Sequence, residues 1–279
     1  MTDKTIPYAD YAIIGGSSTF SISFPEDLSH PDVEVLGQEL VFATPYGPSP
    51  AFKLFLLGEK RVLTLKMHGW REGFSRADAS RQIFWVFREA GVKKIMAEGG
   101  VGSINHLLKP RDLLVPSDYL DFSLRKDVSL GSPYLLTMRR PVCPDMVSEL
   151  VTAAEETALG RVFDRGIYAV TDGRHFESPA EVAMLSRAGA DIVGQSMCPE
   201  VYLSREIGAC YARIDMVVNY AEGVVKDWEH RELAEIFYGE SQRIGNILLS
   251  ALARIGIREE CPCAQLRKPT LLKQKEISV

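Results

Sequence analysis

Short apolar runs alternate with longer amphipathic segments along most of this chain. Tyr11-Ala12-Ile13-Ile14 has the length and content of a buried strand, and a polar, glycine-rich segment ends it. Residues 92–97 form a similar run that leads into Glu98 and a second glycine cluster. On the same grounds we predict strands at 51–57, 61–66, 113–115, 167–171, 190–193 and 211–218.

Four segments carry apolar residues at helical spacing. Residues 75–90 end at Gly91, and the other predicted helices span 146–159, 179–188 and, as one terminal helix, 229–255. Alternating strands and helices favour an α/β fold, a single domain whose central, mostly parallel mixed sheet is flanked by helices. We expect this domain at residues 1–260 and a C-terminal tail at 261–279, its last dozen residues loosely attached.

Composition narrows the class of protein. The 279 residues are 46 % hydrophobic and 25 % charged, as in an ordinary globular protein, and the net charge of −5 argues against nucleic acid as a partner. No apolar run reaches the ~18 residues of a membrane span. Residues 1–4 lack the basic flank and apolar stretch of a secretory signal. We therefore expect a cytoplasmic protein without a membrane partner.

The five cysteines are too few and too scattered for a disulfide framework. Cys143, Cys198 and Cys210 lie in apolar surroundings and are interpreted as small buried hydrophobic residues. Cys261 and Cys263 lie in a polar segment, where a metal would need further ligands nearby and no histidine is present, so no metal site is predicted. A local disulfide between these two and a pair of unpaired thiols both stay open.

Polar clusters follow several of the predicted strands: 15–18, 99–103, Phe176-Glu177 and Asn219-Tyr220. Ligands of open α/β sheets bind beyond the carboxyl ends of the strands, so these clusters could line one pocket. Glycine lets backbone N–H groups approach an anion, although an ordinary tight turn would explain either glycine cluster. Neither cluster matches the phosphate-loop or dinucleotide pattern, and the histidines show no metal-ligand spacing. The residues alone predict an α/β enzyme with a pocket for a small polar ligand.

The order of these motifs resembles that of the trimeric purine nucleoside phosphorylase family, especially its methylthioadenosine and methylthioinosine phosphorylase branch. The motifs that carry the resemblance, within roughly residues 10–255, are Ile13-Ile14-Gly15-Gly16-Ser17, Thr44-Pro45-Tyr46-Gly47, Met67-His68-Gly69, the turn 99–103, Asp172-Gly173-Arg174-His175-Phe176-Glu177-Ser178 and Gly194-Gln195-Ser196-Met197-Cys198-Pro199-Glu200. The last two are similar to the family's Gly-Pro-x-Phe-Glu-Thr and Gly-Met-Ser-Thr-x-Pro-Glu motifs and are the most specific.

The resemblance implies a nucleoside phosphorylase fold and a site residue by residue. Phosphate would bind at Ser17, His68, Gly99, Gly100 and Ser196. Phe176 would pack on the base, Gln195 would lie beneath the ribose, His230 would lie near its 5′ group, and the catalytic pair Glu177 and Asn219 would face the purine edges. The family further implies a homotrimer or hexamer, purine salvage, and phosphate as co-substrate without a cofactor.

Chemistry refines this expectation. An asparagine amide can donate to N7 or O6 as negative charge grows on the leaving purine, and a carboxylate that accepts N1–H fits a 6-oxopurine. Met67 stands where the family has a phosphate-binding arginine, and Arg71 is the nearby substitute, although we expect it to be exposed. Three alternatives therefore stay open: an adenine-selective methylthioadenosine phosphorylase, a phosphate-independent hydrolase and a nucleoside-binding protein without catalysis.

Overall fold

A computed structural model describes residues 5–157, 160–257 and 261–271. The strands are β1 Tyr11–Ile14, β2 Val33–Leu40, β3 Ala43–Thr44, β4 Gly47–Pro48, β5 Phe52–Leu57, β6 Lys60–Leu65, β7 Lys94–Ser103, β8 Leu113–Leu114, β9 Asp118–Asp121, β10 Tyr134–Leu136, β11 Val162–Phe163, β12 Ile167–Val170, β13 Ile192–Gly194, β14 Cys210–Tyr220 and β15 Arg267–Pro269. The α-helices are α1 Arg76–Ala90, α2 Pro144–Thr157, α3 Pro179–Arg187, α4 Met197–Ile207, α5 His230–Gly239 and α6 Ser241–Arg254.

Among the described residues, eleven strands form one mixed sheet. Its centre is parallel, since β1 pairs with β6 and β7, and β7 pairs with β14 in the same direction. Antiparallel strands extend it, with β5 and β2 beyond β6 and with β8 beside β14. A branch of β13, β12 and β9 joins the far half of β7 through antiparallel pairing of β13. The predicted single α/β domain with a mostly parallel mixed sheet is confirmed.

Two hydrophobic layers cover the sheet, and β1 shows how the sequence produces them. Ala12 and Ile14 pack on the layer that contains α1 and α4, whereas Tyr11 and Ile13 pack on the layer that contains α2 and α6. Successive side chains of a strand point to opposite faces, so the four-residue apolar run fills both layers. Because β1 is apolar along its whole length, the polar residues begin only at its carboxyl end, in the loop 15–18.

Capping residues close in sequence determine where α1 begins and ends and where α3 begins. The side chain of Ser75 accepts a hydrogen bond from Asp78 N at the start of α1, and Gly91 ends that helix in the left-handed region. Ser178 and Glu181 form a capping box at the start of α3. Helix α2 begins at Pro144, and residues 158–159 of the predicted helix lie outside the described residues.

The predicted terminal helix at 229–255 is wrong as one element, because the chain forms α5 and α6 instead. Helix α5 ends at Gly239 and α6 begins at Ser241, so Glu240, with φ −106° and ψ −4°, is the single residue between them. The carboxylate of Glu240 accepts a hydrogen bond from Arg111 at 2.9 Å, a tertiary contact that periodicity does not reveal. The bend turns α5 toward the carboxyl edge of the sheet, where it contacts β14.

The glycine cluster at 99–103, predicted as a turn, is the second half of β7. Strand β14 is correspondingly long, so Asn219 and Tyr220 lie inside it and pair with Gly102 and Ser103. Glycine is usually poor in strands, but here the neighbouring strand satisfies the backbone for the full length. Helix α4 and the edge strand β2 were not predicted at all.

The beginning of the predicted tail packs on the domain. Cys261 and Cys263 are buried, and β15 pairs with β10. The expected loose attachment of the last dozen residues does not hold for Lys268 and Pro269, which lie in that pair, while 272–279 lie outside the described residues. No helix in the described ranges is long and apolar enough to cross a bilayer.

Candidate active site

The carboxyl ends of β1, β6, β12 and β13 meet the distal halves of β7 and β14 around one cavity of about 240 Å³. The cavity is lined by nine of the ten residues predicted as site residues: Ser17, His68, Gly99, Gly100, Phe176, Glu177, Gln195, Ser196 and Asn219. The structure therefore brings together side chains that are up to about two hundred positions apart in sequence. Their roles stay predictions.

At one end of the cavity, the loop after β1 lies against β7. Gly100 N donates to Ser17 Oγ at 2.9 Å. Gly16 has no room for a side chain, because a Cβ there would lie 2.2 Å from Glu98 O and 2.7 Å from His68 Nε2. The loop needs glycine for this close approach to β7, which keeps donor groups at the cavity wall.

The loop is held from below by Glu98, a residue that the sequence analysis did not assign to the site. Its carboxylate accepts hydrogen bonds from the backbone of Gly16, from Ser18 N at 3.1 Å and from Thr19 N at 3.2 Å. The Thr19 hydroxyl adds a fourth at 2.7 Å. Glu98 is fully buried. Its signal in the sequence is a charged residue at the end of an apolar strand run, which is unusual without partners.

His68 is buried at the same end and is oriented by a carboxylate. Its Nδ1 lies 2.7 Å from Glu200 Oε1, and the Tyr211 hydroxyl donates to Glu200 Oε2 at 3.0 Å. With Nδ1 engaged, Nε2 is the ring nitrogen beside Gly16 at the cavity. Glu200 belongs to α4 and ends the Gly194-to-Glu200 motif, so that motif supplies the partner of His68 in the Met67-His68-Gly69 motif.

Arg213 was also missed, and it lies beneath the floor of the cavity. The residue is 0 % exposed, its Nε donates to Asp215 Oδ2 at 2.7 Å, and its Nη2 lies 3.2 Å from Ser196 Oγ. Burial alone would lower the pKa of Arg213, but the charge of Asp215 and the hydroxyls of Tyr211 and Tyr168 raise it well above its ordinary value. The guanidinium is therefore a permanent positive charge under Ser196.

Glu177 and Asn219 also line the cavity, and Asn219 pairs with Gly102, farther along β7 than Gly99 and Gly100. The Thr171 hydroxyl donates to Glu177 Oε1 at 2.5 Å, which leaves Oε2 for a ligand. Asn219 Nδ2 donates to Tyr220 O at 2.7 Å, and this bond identifies the nitrogen of the side-chain amide. The second N–H of that nitrogen is left to donate to a ligand. A carboxylate oxygen and an amide N–H at one end of a cavity can bind a planar base that carries both a donor and an acceptor.

Gln195 and Phe176 form another part of the cavity wall. Gln195 Oε1 accepts from Arg76 Nη1 at 2.9 Å, a cation that the sequence analysis did not single out. Phe176 is 47 % exposed and packs edge-on against Trp228, with ring centroids 5.2 Å apart. Both residues come directly from loops after the strands β12 and β13.

His230, the tenth predicted residue, does not line this cavity. It lies in an adjacent hollow of about 300 Å³, which shares Ser17, Met67, Leu233 and Phe237 with the central cavity. Arg71 does not enter either space, and its expected exposure is wrong in part. It donates to Gly69 O at 3.1 Å and to Gln82 Oε1 at 2.7 Å, and it lies over the Phe74 ring.

A comparison with protein families agrees with the arrangement of these motifs around one cavity. The model of the family described as "Phosphorylase superfamily" matches residues 11–253. The chain belongs to the phosphorylase superfamily. The resemblance inferred from the motifs and the expectation of an enzyme are thereby confirmed.

Individual relatives narrow the comparison. A protein of Korarchaeum cryptofilum (strain OPF8), named "Probable 6-oxopurine nucleoside phosphorylase", is 31 % identical over 90 % of this chain and 95 % of its own length. A "Probable S-methyl-5'-thioinosine phosphorylase" of Methanopyrus kandleri is 33 % identical over 80 % of this chain and 88 % of its own. A methylthioadenosine phosphorylase sourced from an Antarctic soil metagenomic library has the same fold, with a TM-score of 0.79, 22 % identity and coverage of 93 % and 91 % of the two chains.

Proposed function

We propose that this enzyme cleaves the N-glycosidic bond of a 6-oxopurine nucleoside with inorganic phosphate as the nucleophile. The observation that carries the proposal is one cavity lined by two kinds of group. Glu177 and Asn219 offer a carboxylate oxygen and an amide N–H, which we assign to the base, while Ser17, His68 and Ser196 line it together with Gly99 and Gly100, which we assign to the anion. Gly99 and Gly100 lie beside Ser196 and Ser17, whereas Asn219 pairs with Gly102, farther along β7. The relatives named above support the same reaction class.

At the base end, Asn219 donates its remaining amide N–H to N7 or O6 of the leaving purine. Negative charge grows on these atoms only as the glycosidic bond breaks, so the hydrogen bond strengthens in the transition state. With Oε1 occupied by Thr171, Glu177 Oε2 accepts a hydrogen bond from N1–H of a 6-oxopurine. Phe176, already packed against Trp228, covers one face of the base.

At the anion end, phosphate binds among hydrogen-bonding groups that are backed by buried charged residues. His68, Ser17, Ser196 and the backbone of Gly99 and Gly100 line this end. Arg213 donates to Ser196 Oγ, which leaves the hydroxyl proton of Ser196 for the phosphate. The bound dianion attacks C1′ of the oxocarbenium-like ribose, and no cofactor takes part.

The hollow that contains His230 favours an apolar 5′ substituent. Its wall includes Phe20, Met67, Leu233 and Phe237, whereas Ser17, Ser21, His230 and Tyr238 bring polar atoms. A methylthio group would remove this apolar surface from water, and each buried CH₂-sized group contributes about 0.8 kcal/mol. We therefore place 5′-methylthioinosine ahead of inosine as the substrate.

The test measures base release from inosine, 5′-methylthioinosine and 5′-methylthioadenosine with and without phosphate. Phosphorolysis requires saturable dependence on phosphate and a pentose 1-phosphate as the sugar product. Methylthioinosine should have the highest kcat/KM. A preference for adenine release from methylthioadenosine would instead identify the adenine-selective alternative.

A phosphate-independent hydrolase is the second candidate, and one observation favours it. Among the described residues, no lysine or arginine lines the cavity, and Met67 occupies the position where the family has an arginine. A neutral water molecule, as the nucleophile of a hydrolase, would not need a cationic binding site. Free sugar formed at a rate indifferent to phosphate would establish the hydrolase, and saturable nucleoside binding without any sugar product would establish a binding protein.

The assembly, location and pathway belong to the same proposal: a cytoplasmic homotrimer, or a hexamer built from trimers, that serves purine salvage. Phe122 and Leu124, just after β9, are 43 % and 90 % exposed. Leu124 N also donates to Asp172, so these apolar side chains lie beside the segment that carries Phe176 and Glu177. Burial of this surface by a neighbouring subunit would close the base end, and light scattering that reports a stable monomer would contradict it.

A further inference from the structure

Four of the five cysteines converge at one point, remote from the catalytic cavity. The Sγ atoms of Cys143, Cys210, Cys261 and Cys263 all lie within 4.8 Å of one another, and all four residues are buried. Cys261 Sγ lies 3.2 Å from Cys210 Sγ and 3.8 Å from Cys143 Sγ. The fifth, Cys198, is buried elsewhere.

The ligands come from three parts of the fold. Cys143 immediately precedes α2, and Cys210 is the first residue of β14. Cys261 caps the 3₁₀ helix Pro262–Leu266, and Cys263 is the second residue of that helix. Cys261 and Cys263 alone are too few to bind a metal ion. Cys143 and Cys210, which are distant in sequence, supply the two further ligands. Zn–S bonds of about 2.3 Å in a tetrahedron place sulfurs about 3.8 Å apart, which is within the range observed here.

Lys94 provides a second, independent observation. It is 3 % exposed, it is the cross-strand neighbour of Cys210, and its Nζ lies 3.4 Å from Cys210 Sγ. Within 5–157, 160–257 and 261–271, no carboxylate forms an ion pair with it. A buried ammonium needs a negative partner. Four thiolates around Zn²⁺ carry a net charge of −2 and provide one, whereas neutral disulfides or thiols do not.

We propose that Cys143, Cys210, Cys261 and Cys263 bind one Zn²⁺ ion as a closed structural site, with Lys94 as its charge-balancing neighbour. Binding releases the thiol protons to solvent and involves no redox change. Four protein ligands leave no open position, so the ion takes no part in catalysis. It fastens residues 261–271 to the starts of α2 and β14.

The site is connected to α4 through Arg205. Its Nη1 donates to Cys263 O at 2.8 Å, and its Nη2 donates to Arg140 O at 2.6 Å. Helix α4 also carries Glu200, the partner of His68. Loss of zinc should therefore lower the thermal midpoint of the whole domain and loosen the C-terminal segment first.

The experiment measures metal in the full chain purified under reducing conditions, by mass spectrometry of the metal against protein concentration. One zinc per chain is expected. Cys143→Ser and Cys261→Ser should lose it, whereas Cys198→Ser, also a buried cysteine, should retain it. Replacement of the wild-type zinc by Co²⁺ should give the thiolate-to-cobalt absorption of a tetrahedral sulfur site, a readout that does not depend on whether a variant folds.

Lys94 has its own matched pair of variants. Lys94→Met should weaken zinc affinity by about 10- to 100-fold in competition with a chelator, while Lys94→Arg should stay close to wild type. The proposal is overturned by wild-type protein that holds no zinc, whether its intact mass shows free thiols or the loss of two hydrogens per disulfide. Zinc retained by both serine variants overturns it equally.

Discussion

Arg213 Nη2 lies 3.2 Å from Ser196 Oγ, so a buried guanidinium supports a hydroxyl at the anion end of the cavity. The same guanidinium is paired with Asp215, and a Cβ on Gly99 would lie only 2.9 Å from Nη2. Under the proposed phosphorolysis, Arg213 would act on phosphate through Ser196, because Met67 offers no charge of its own.

The first prediction separates the stability contributed by this pair from its effect on phosphate. Arg213→Met leaves Asp215 as an unpaired buried charge and should lower the free energy of unfolding by about 3–5 kcal/mol. Arg213→Met combined with Asp215→Leu should recover most of that loss, because a hydrophobic pair of similar volume replaces a buried ion pair. Urea unfolding measures both.

Phosphate binding should not recover with stability. In the double variant, Ser196 still lacks its charged donor, so KM for phosphate should stay raised by about tenfold or more, which corresponds to a lost hydrogen bond of about 1.5–3 kcal/mol. A double variant that is stable and has the wild-type KM for phosphate would show that Arg213 is purely structural.

The second prediction concerns the orientation of His68. Glu200→Gln keeps an acceptor 2.7 Å from Nδ1 but removes the negative charge beside the ring. An amide oxygen is a weaker acceptor than a carboxylate and holds the ring less firmly toward the bound anion, so KM for phosphate should rise by about tenfold and kcat should change less. Steady-state kinetics at saturating nucleoside measure this split.

Tyr211→Phe is the matched control for Glu200→Gln. It removes a neutral hydrogen bond to the other carboxylate oxygen and should lower the free energy of unfolding by about 0.5–1.5 kcal/mol. KM for phosphate should remain within about twofold of wild type, well below the tenfold effect of Glu200→Gln. Equal effects of the two variants on phosphate would contradict a specific role for the charge.

Much of the fold could be predicted because its strongest signals are local. The run at Tyr11 and the capped helix after Ser75 carry their own boundaries, and both were found within a residue or two. The break at Glu240 could not be found, since its partner Arg111 is 129 positions away. The glycines of β7 have the composition of a turn. They form a strand only because they pair with β14, and a single sequence does not reveal that pairing.

The same distinction applies to the site. Positions that point into the cavity, such as Glu177 and Asn219, were identified through the resemblance to known motifs. Glu98 and Arg213 were not, because their importance depends on buried partners that a single sequence does not pair with them. The four-cysteine cluster was missed for a similar reason, since Cys143 and Cys210 resemble ordinary core residues until the chain is folded.

The third prediction concerns base selectivity. Wild-type enzyme should favour hypoxanthine over adenine as the leaving base by roughly ten- to a hundredfold in kcat/KM. Adenine has no proton on N1, and an unpaired buried acceptor costs about 1–3 kcal/mol. Asn219→Asp should shift the preference toward 6-aminopurines, because a protonated carboxyl can donate to N7. The ratio of rates with methylthioinosine and methylthioadenosine measures the shift, and faster adenine release by the wild type would refute the assignment of Glu177.

The fourth prediction returns to Met67, whose side chain lines both the central cavity and the hollow of His230. Met67→Arg should tighten phosphate binding by about tenfold or more, because one charge-assisted contact contributes about 1.5–3 kcal/mol. The backbone there has a positive φ of 49°. Met, Leu and Arg are all unbranched at Cβ, so Met67→Leu is a control that keeps the backbone conformation and adds no charge.

Turnover at low phosphate should rise in Met67→Arg and stay unchanged in Met67→Leu, while kcat at saturating phosphate should be similar in both. The larger arginine also narrows the passage toward His230, so KM for methylthioinosine should rise relative to inosine. If Met67→Arg leaves the phosphate KM unchanged although the protein is folded, Arg213 already supplies the field that phosphate needs. If it converts a phosphate-indifferent reaction into a phosphate-dependent one, the wild-type enzyme is a hydrolase, and the methionine is the residue that made it so.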